Sequence, residues 1–266
     1  DPRYITAQKD IPLESGVINS FSIREGVVTA VIKNTTDFAF RESFIAIGSN
    51  FINVGDILPG KEKEIKFKLD GPEIKKDYEV FMDDRYGTRY NQPGQQLPQN
   101  WAENNRKRNI IDRVFRDMYS GYLGQTKILF FALNYSDLGY DLVINDKAPE
   151  KHSTNAIYTV MEMNFKKGEK VDIPAGIIRP SLESSKIAFY DDPINGAIRI
   201  REDGDVDFLY VLPENIEVEK FDLKFGTYTP YYLRQQLNNN NQTIEGNEYK
   251  YYIFNHNVMD WEEIDK

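Results

Sequence analysis

The chain has 266 residues, 40% hydrophobic and 13% aromatic, so it exceeds the usual single-domain size and can build ordinary cores. Its net charge of −9 argues against phosphate backbones and anionic lipid as partners, because both need concentrated lysine and arginine. The lack of cysteine excludes disulfides, thiolate metal sites and thiol nucleophiles. Such a chain fits the cytosol, and equally the outside of a bacterium whose surface proteins do without disulfides. No run of about 18 apolar residues occurs, so no segment is expected to span a membrane. The opening Asp1-Pro2, without an initiator methionine, reads as a mature protein or an excised fragment.

Residues 1–85 are expected to form an immunoglobulin-like sandwich of short strands. The strand candidates lie near Ile5, Val17 to Ile23, Val27 to Ile32, Phe44 to Ile47, Phe51 to Val54, Ile65 to Leu69 and Tyr78 to Met82. Val28, Ala30 and Ile32 alternate with Thr29, Val31 and Lys33, the period of a sheet with one wet face. Gly26, Asn34 to Asp37, Gly48 to Asn50 and Pro59-Gly60 supply the turns. The cysteine pair and tryptophan of antibody domains are missing, so the expectation concerns architecture alone.

Residues 86–170 read as a linker, one amphipathic helix and a small three-stranded α+β segment. Gly87 to Asn100 is polar and broken by proline and glycine. From Trp101 to Tyr119, Ile110, Ile111, Val114, Phe115 and Met118 make one apolar stripe at spacings of three and four. The basic run Arg106-Lys107-Arg108, with Arg113 and Arg116 beyond, is expected to be a solvated helix face. Lys127 to Leu133 is apolar on both faces and predicts a central buried strand. Tyr140 to Ile144 and Tyr158 to Phe165 are further strands, which belong either to an α+β insertion or to a flanking sheet. Residues 171–266 return to alternation and read as a second, jelly-roll-like sandwich, with a polar tract at Gln235 to Gln242 between its last strands. The predicted fold is therefore mainly β, two antiparallel sandwiches with a helix-containing α+β segment between them.

Signatures of chemistry are sparse. There is no phosphate loop, Gly-x-Ser-x-Gly elbow, zinc motif or kinase set. His152 and His256 are expected in surface bends, without a nucleophile and carboxylate to complete a triad. Asp203-Gly204-Asp205-Val206-Asp207, with Asp191-Asp192 before it, has the carboxylates a calcium ion needs, but Asp-Gly also makes the turn of a hairpin, which is the expectation adopted. Tyr228, Tyr231, Tyr232, Tyr249, Tyr251, Tyr252 and Trp261 are suited to a sugar-stacking platform and, more commonly, to core and cross-strand pairs. No residue is assigned a catalytic, ligand-binding or metal-ligating role, and no cofactor is implied.

With these residues in view, Val27 to Leu69 resembles an immunoglobulin-like strand set of bacterial extracytoplasmic proteins. It has a strand ending in Asn34-Thr35, a polar bend, an apolar strand, then Gly55-Asp56-Ile57-Leu58-Pro59-Gly60 before a lysine-rich strand. Tyr251 to Ile264 is similar to the aromatic-strand ending of large surface or membrane-anchored proteins of Gram-positive bacteria, and Thr126 to Asn145 fits their helix-then-buried-strand segment. The resemblance implies an extracellular or cell-surface location, tandem β architecture and no catalytic residues. The expected function is a non-catalytic module of a cell-envelope protein, a spacer, scaffold or protein-binding surface whose partner is another envelope protein or a glycan, not a nucleic acid. A carbohydrate-binding module is the second expectation and a glycan-active enzyme the third.

Overall fold

A computed structural model describes residues 16–24, 26–68, 71–88, 99–121, 127–137, 153–162, 168, 170–173, 177–178, 180–182, 187–192, 197–200, 204–212, 217–220, 250–255 and 259–264. Over these residues the chain is mainly β, with antiparallel sheets and two helices. It divides into two compact units, Asp1–Phe221 and Asp222–Lys266.

In the first unit, β1 (Val17–Arg24), β2 (Val27–Asn34) and β5 (Glu62–Lys68) form a three-stranded sheet in the order β1-β2-β5. A four-stranded sheet runs in the order β4-β3-β6-β7, from β3 (Phe40–Ile47), β4 (Asn50–Ile57), β6 (Lys127–Asn134) and β7 (Asn155–Glu162). The strands after the helix are thus lent to the sheet begun by β3, and β6 lies at its centre as its two-faced apolar run predicts. The boundary expected at residue 85 falls between strands of one sheet.

Period-two alternation sorts β3 and β6 into two cores. Ile45, Ile47, Ile128, Phe130 and Ala132 meet Val28, Ala30, Ile32 and Phe67 of the three-stranded sheet. Phe44, Ala46, Leu129, Phe131 and Leu133 face the other way, onto the helices. There Phe44, Phe51, Phe81, Phe115 and Phe131 pack with ring centroids 5.0–6.1 Å apart.

Two helices cover that second face. α1 (Tyr78–Tyr86) replaces the strand expected at Tyr78 to Met82. Asp77 caps it, accepting from the backbone N–H groups of Glu79 and Val80 at 2.9 and 3.1 Å. α2 (Trp101–Gly121) follows the amphipathic stripe, with Ile111 and Phe115 fully buried. The solvated basic face needs correction: Arg106, Arg113 and Arg116 are exposed, but Lys107 is half-buried and Arg108 is only 1% exposed. Arg108 is drawn in because Glu79 and Asp83 of α1 wait for it.

Buried asparagines end two strands. Asn34 donates to the carbonyls of Phe38 and Ile57 and accepts from the Thr36 N–H and hydroxyl, so its side chain is satisfied without water. Asn134 repeats the device, donating to the Ala39 carbonyl and accepting from the Ser136 N–H.

Beyond β7 the first unit has two short ladders, β8 (Pro180–Leu182) with β11 (Phe208–Tyr210) and β9 (Ala188–Asp192) with β10 (Ala197–Ile200). Among the described residues β10 pairs with β9 and β11 with β8, and not with each other across the hairpin turn expected at Asp203 to Asp207, of which Asp203 lies outside the described residues. Ile177 is buried in the core between the large sheets, with Val171 and Ile173 against it. In the second unit, β12 (Tyr251–Asn255) and β13 (Asp260–Ile264) form a hairpin that sets Phe254 opposite Trp261. The strands expected near Ile5 and Tyr140 to Ile144 lie outside the described residues.

Candidate functional site

The densest polar cluster begins at an irregularity in β3. Phe40 pairs with Ile57 and Ser43 with Gly55, so Arg41 and Glu42 bulge opposite Asp56. The bulge reverses the alternation: Phe40 packs between the sheets, whereas the equally even-numbered Phe44 and Ala46 face the helices. Glu42 adopts a left-handed backbone, φ 51°, which costs a non-glycine residue about 1–2 kcal/mol. The Asp56 carboxylate secures it, accepting from the Glu42 N–H at 2.9 Å and the Arg41 guanidinium at 2.6 Å.

From the bulge Glu42 reaches both helices and the end of β6. Its Oε1 accepts from Lys107 Nζ at 2.8 Å and from the Tyr135 hydroxyl at 2.5 Å. Its carbonyl accepts from Arg85 Nη2 at 2.6 Å. Lys107 also pairs with Glu103 at 3.0 Å and lies 5.1 Å from the Tyr135 ring centroid. The Arg85 guanidinium sits over Phe44 and Phe81, 5.2 Å from each ring centroid. The Tyr86 hydroxyl is buried near the Glu42 carboxylate but outside hydrogen-bonding geometry.

Burial pushes the Glu42 carboxyl up, but hydrogen bonds from Lys107 and Tyr135 outweigh it and hold the group below its ordinary range. Burial pulls Lys107 down, and its bond to Glu42 reverses that and raises it. Burial, helped by the bond to Glu42, pushes Tyr135 up to about 12. A general base, an amine nucleophile and a phenolic acid need pKa values near the working pH. These three move away from it, so the cluster holds one anion, one cation and one neutral phenol over a wide pH range.

A second cluster ties the helices together. Arg108 bonds to Glu79, Asp83 and the Gly87 carbonyl. The Tyr78 hydroxyl donates to Asp112 at 2.6 Å in the buried layer below. Sequence reasoning passed over Glu42, Arg85, Tyr86 and Tyr135 altogether, since their meeting depends on a bulge and on separations up to 93 residues.

Of the residues singled out from sequence, Tyr251, Tyr252 and Trp261 share one hairpin. His152, His256, Asp203, Tyr228, Tyr231, Tyr232 and Tyr249 lie outside the described residues. Asp191 and Asp192 fall on β9, Tyr251 and Tyr252 on β12, and Trp261 on β13. Asp205 and Asp207 are exposed. Among the described residues no group of three or more histidine, aspartate or glutamate side chains is placed to hold a metal ion. No described helix is long and apolar enough to cross a membrane.

Residues 16–164, more than half of the chain, match the family described as Domain of unknown function (DUF8725). No curated protein and no solved structure matches the chain.

Proposed function

We propose that this chain, which belongs to the family Domain of unknown function (DUF8725), is a non-catalytic module of a bacterial cell-envelope protein that holds or presents a protein-binding surface outside the cytoplasm. The observation that carries the reading is the use made of the unusual polar groups. Glu42, Arg85, Lys107 and Tyr135 are spent on one another, joining a sheet, two helices and a loop, and their charges are locked rather than poised for proton transfer. Arg108 and its two carboxylates do the same between the helices. The resemblance of Val27 to Leu69 supports the location, and the absence of cysteine is compatible with it. The same reading takes the two larger sheets as an immunoglobulin-like sandwich and the region from Val171 as a second, jelly-roll-like one.

Protease treatment of intact cells that make the full-length parent tests this. Cleavage within the module by protease added outside is the expected result, and cleavage only after lysis would refute it. A carbohydrate-binding module is the second reading, supported by Tyr252, which is 45% exposed on β12. Glycan-array binding lost in Trp261→Ala with folding intact would promote it.

A further inference from the structure

Two isoleucines from outside the strands complete the core between the large sheets. Ile74, 6% exposed, precedes α1, and Ile177, 1% exposed, lies between β7 and β8. They are held in different ways. Lys75, the residue after Ile74, exchanges both main-chain hydrogen bonds with Phe51 of β4, at 2.9 and 3.0 Å. That pair fixes the backbone beside the buried side chain, as a short added strand would.

Ile177 has no such pin. Val171 and Ile173 pack against the same core with the exposed Asp172 between them, and Ile177 enters it four residues later. Among the described residues no main-chain hydrogen bond joins 171–173 or 177–178 to either large sheet. The flanking anchors lead elsewhere. Lys170 pairs with Glu219, both exposed, and β8 pairs with β11. The two ladders make no extended contact with the strands of the large sheets. The family match ends at residue 164, so these three side chains complete the core of the matched region from outside it.

This attachment sets an order of stability. A strand leaves its sheet only when its ladder of hydrogen bonds and its apolar face are both given up. A group held by side chains alone gives up only their burial, which places its opening at the low end of the range found within one fold. For Ile177 that burial favours the closed form by about ten- to a hundredfold.

We infer that Val171, Ile173 and Ile177 form a releasable plug, which withdraws from the core and reseats while both large sheets and the pin at Lys75 stay folded. The plug is thus the place where the interior between the sheets opens first. The inference goes beyond the module reading above and does not depend on it.

Because the chain has no cysteine, a single introduced thiol reports on its own site. Ile177→Cys and Ile74→Cys make the same substitution in the same core, and each full-length variant is treated with a soluble disulfide reagent across a range of urea. The thiol at 177 should react about tenfold or more faster than that at 74, yet about tenfold or more slower than a free thiol. Its rate should hardly change with urea below the unfolding transition, whereas the rate at 74 should climb steeply, since only extensive unfolding exposes enough surface for that. Adding Val171→Ser/Ile173→Ser should speed the reaction at 177 about tenfold and leave that at 74 unchanged. Equal rates at the two positions, equally steep urea dependence, acceleration of both by the serine pair, or free-thiol reactivity at 177 would each overturn the plug. Protease access at the cell surface plays no part in these measurements, so the two readings fail separately.

Discussion

At Glu42 one carboxylate and one carbonyl serve Lys107, Tyr135 and Arg85 from a left-handed backbone position. Glu42→Gln keeps the shape and the strain but leaves the half-buried Lys107 with only the exposed Glu103 as counter-charge. Chemical denaturation should show a loss of about 1–3 kcal/mol. Unchanged or increased stability would instead mark the cluster as a site held for binding or catalysis against the interest of the fold. The pH dependence follows from the directions of the shifts. The Glu42 carboxyl titrates below its ordinary 4.5 in the fold, so its contribution is complete above that value and is lost as pH falls through the folded pKa. Tyr135, raised from 10.0 to about 12, and Lys107, also raised, contribute fully below their unfolded values and lose that contribution as pH rises through the folded ones. Stability of the wild type should therefore fall away more steeply on both limbs than that of Glu42→Gln, as read from melting temperatures across pH. Sequence alone exposes none of this. Arg41-Glu42-Ser43 looks like an ordinary polar stretch, and only the bulge that sets Arg41 and Glu42 opposite Asp56 turns Glu42 inward.

The elements that were legible are those whose burial is periodic. β2 keeps Val28, Ala30 and Ile32 inside, and β6 buries both faces. α1 was missed because Tyr78-Glu79-Val80-Phe81-Met82 mimics a strand in a short window, although Asp77 before it is an N-cap signal. The basic run on α2 was misread for a related reason: its partners, Glu79 and Asp83, belong to that unrecognised helix. Truncating Arg108 strands two carboxylates beside the buried layer. Arg108→Ala is expected to cost about 3–5 kcal/mol and to speed hydrogen exchange across α1. Arg116→Ala, exposed on the same helix, should stay within about 0.5 kcal/mol. Equal effects at the two positions would contradict the helix-joining role of Arg108.

The large sheets of the first unit are held by pairings between distant segments, which local reading does not reach. β3 needs β6, about 85 positions onward, to pair its open edge and to set Phe130 beside Ile45 in one core and Phe131 beside Phe44 in the other. The core between the sheets then takes Ile177, so closure extends past the strands themselves. A fragment ending at residue 85 keeps β1 to β5 but exposes Phe44, Ile45, Ala46 and Ile47 along an open edge, the composition that drives aggregation. A fragment ending at residue 178 keeps the four-stranded sheet, both helices and Ile177. The longer fragment should unfold in one cooperative transition, whereas the shorter one should precipitate or lack a transition. Calorimetry of the two decides the matter. A cooperative transition in the shorter fragment would mean that β1 to β5 form an independent domain, and that β6 and β7 add to a sheet already stable without them.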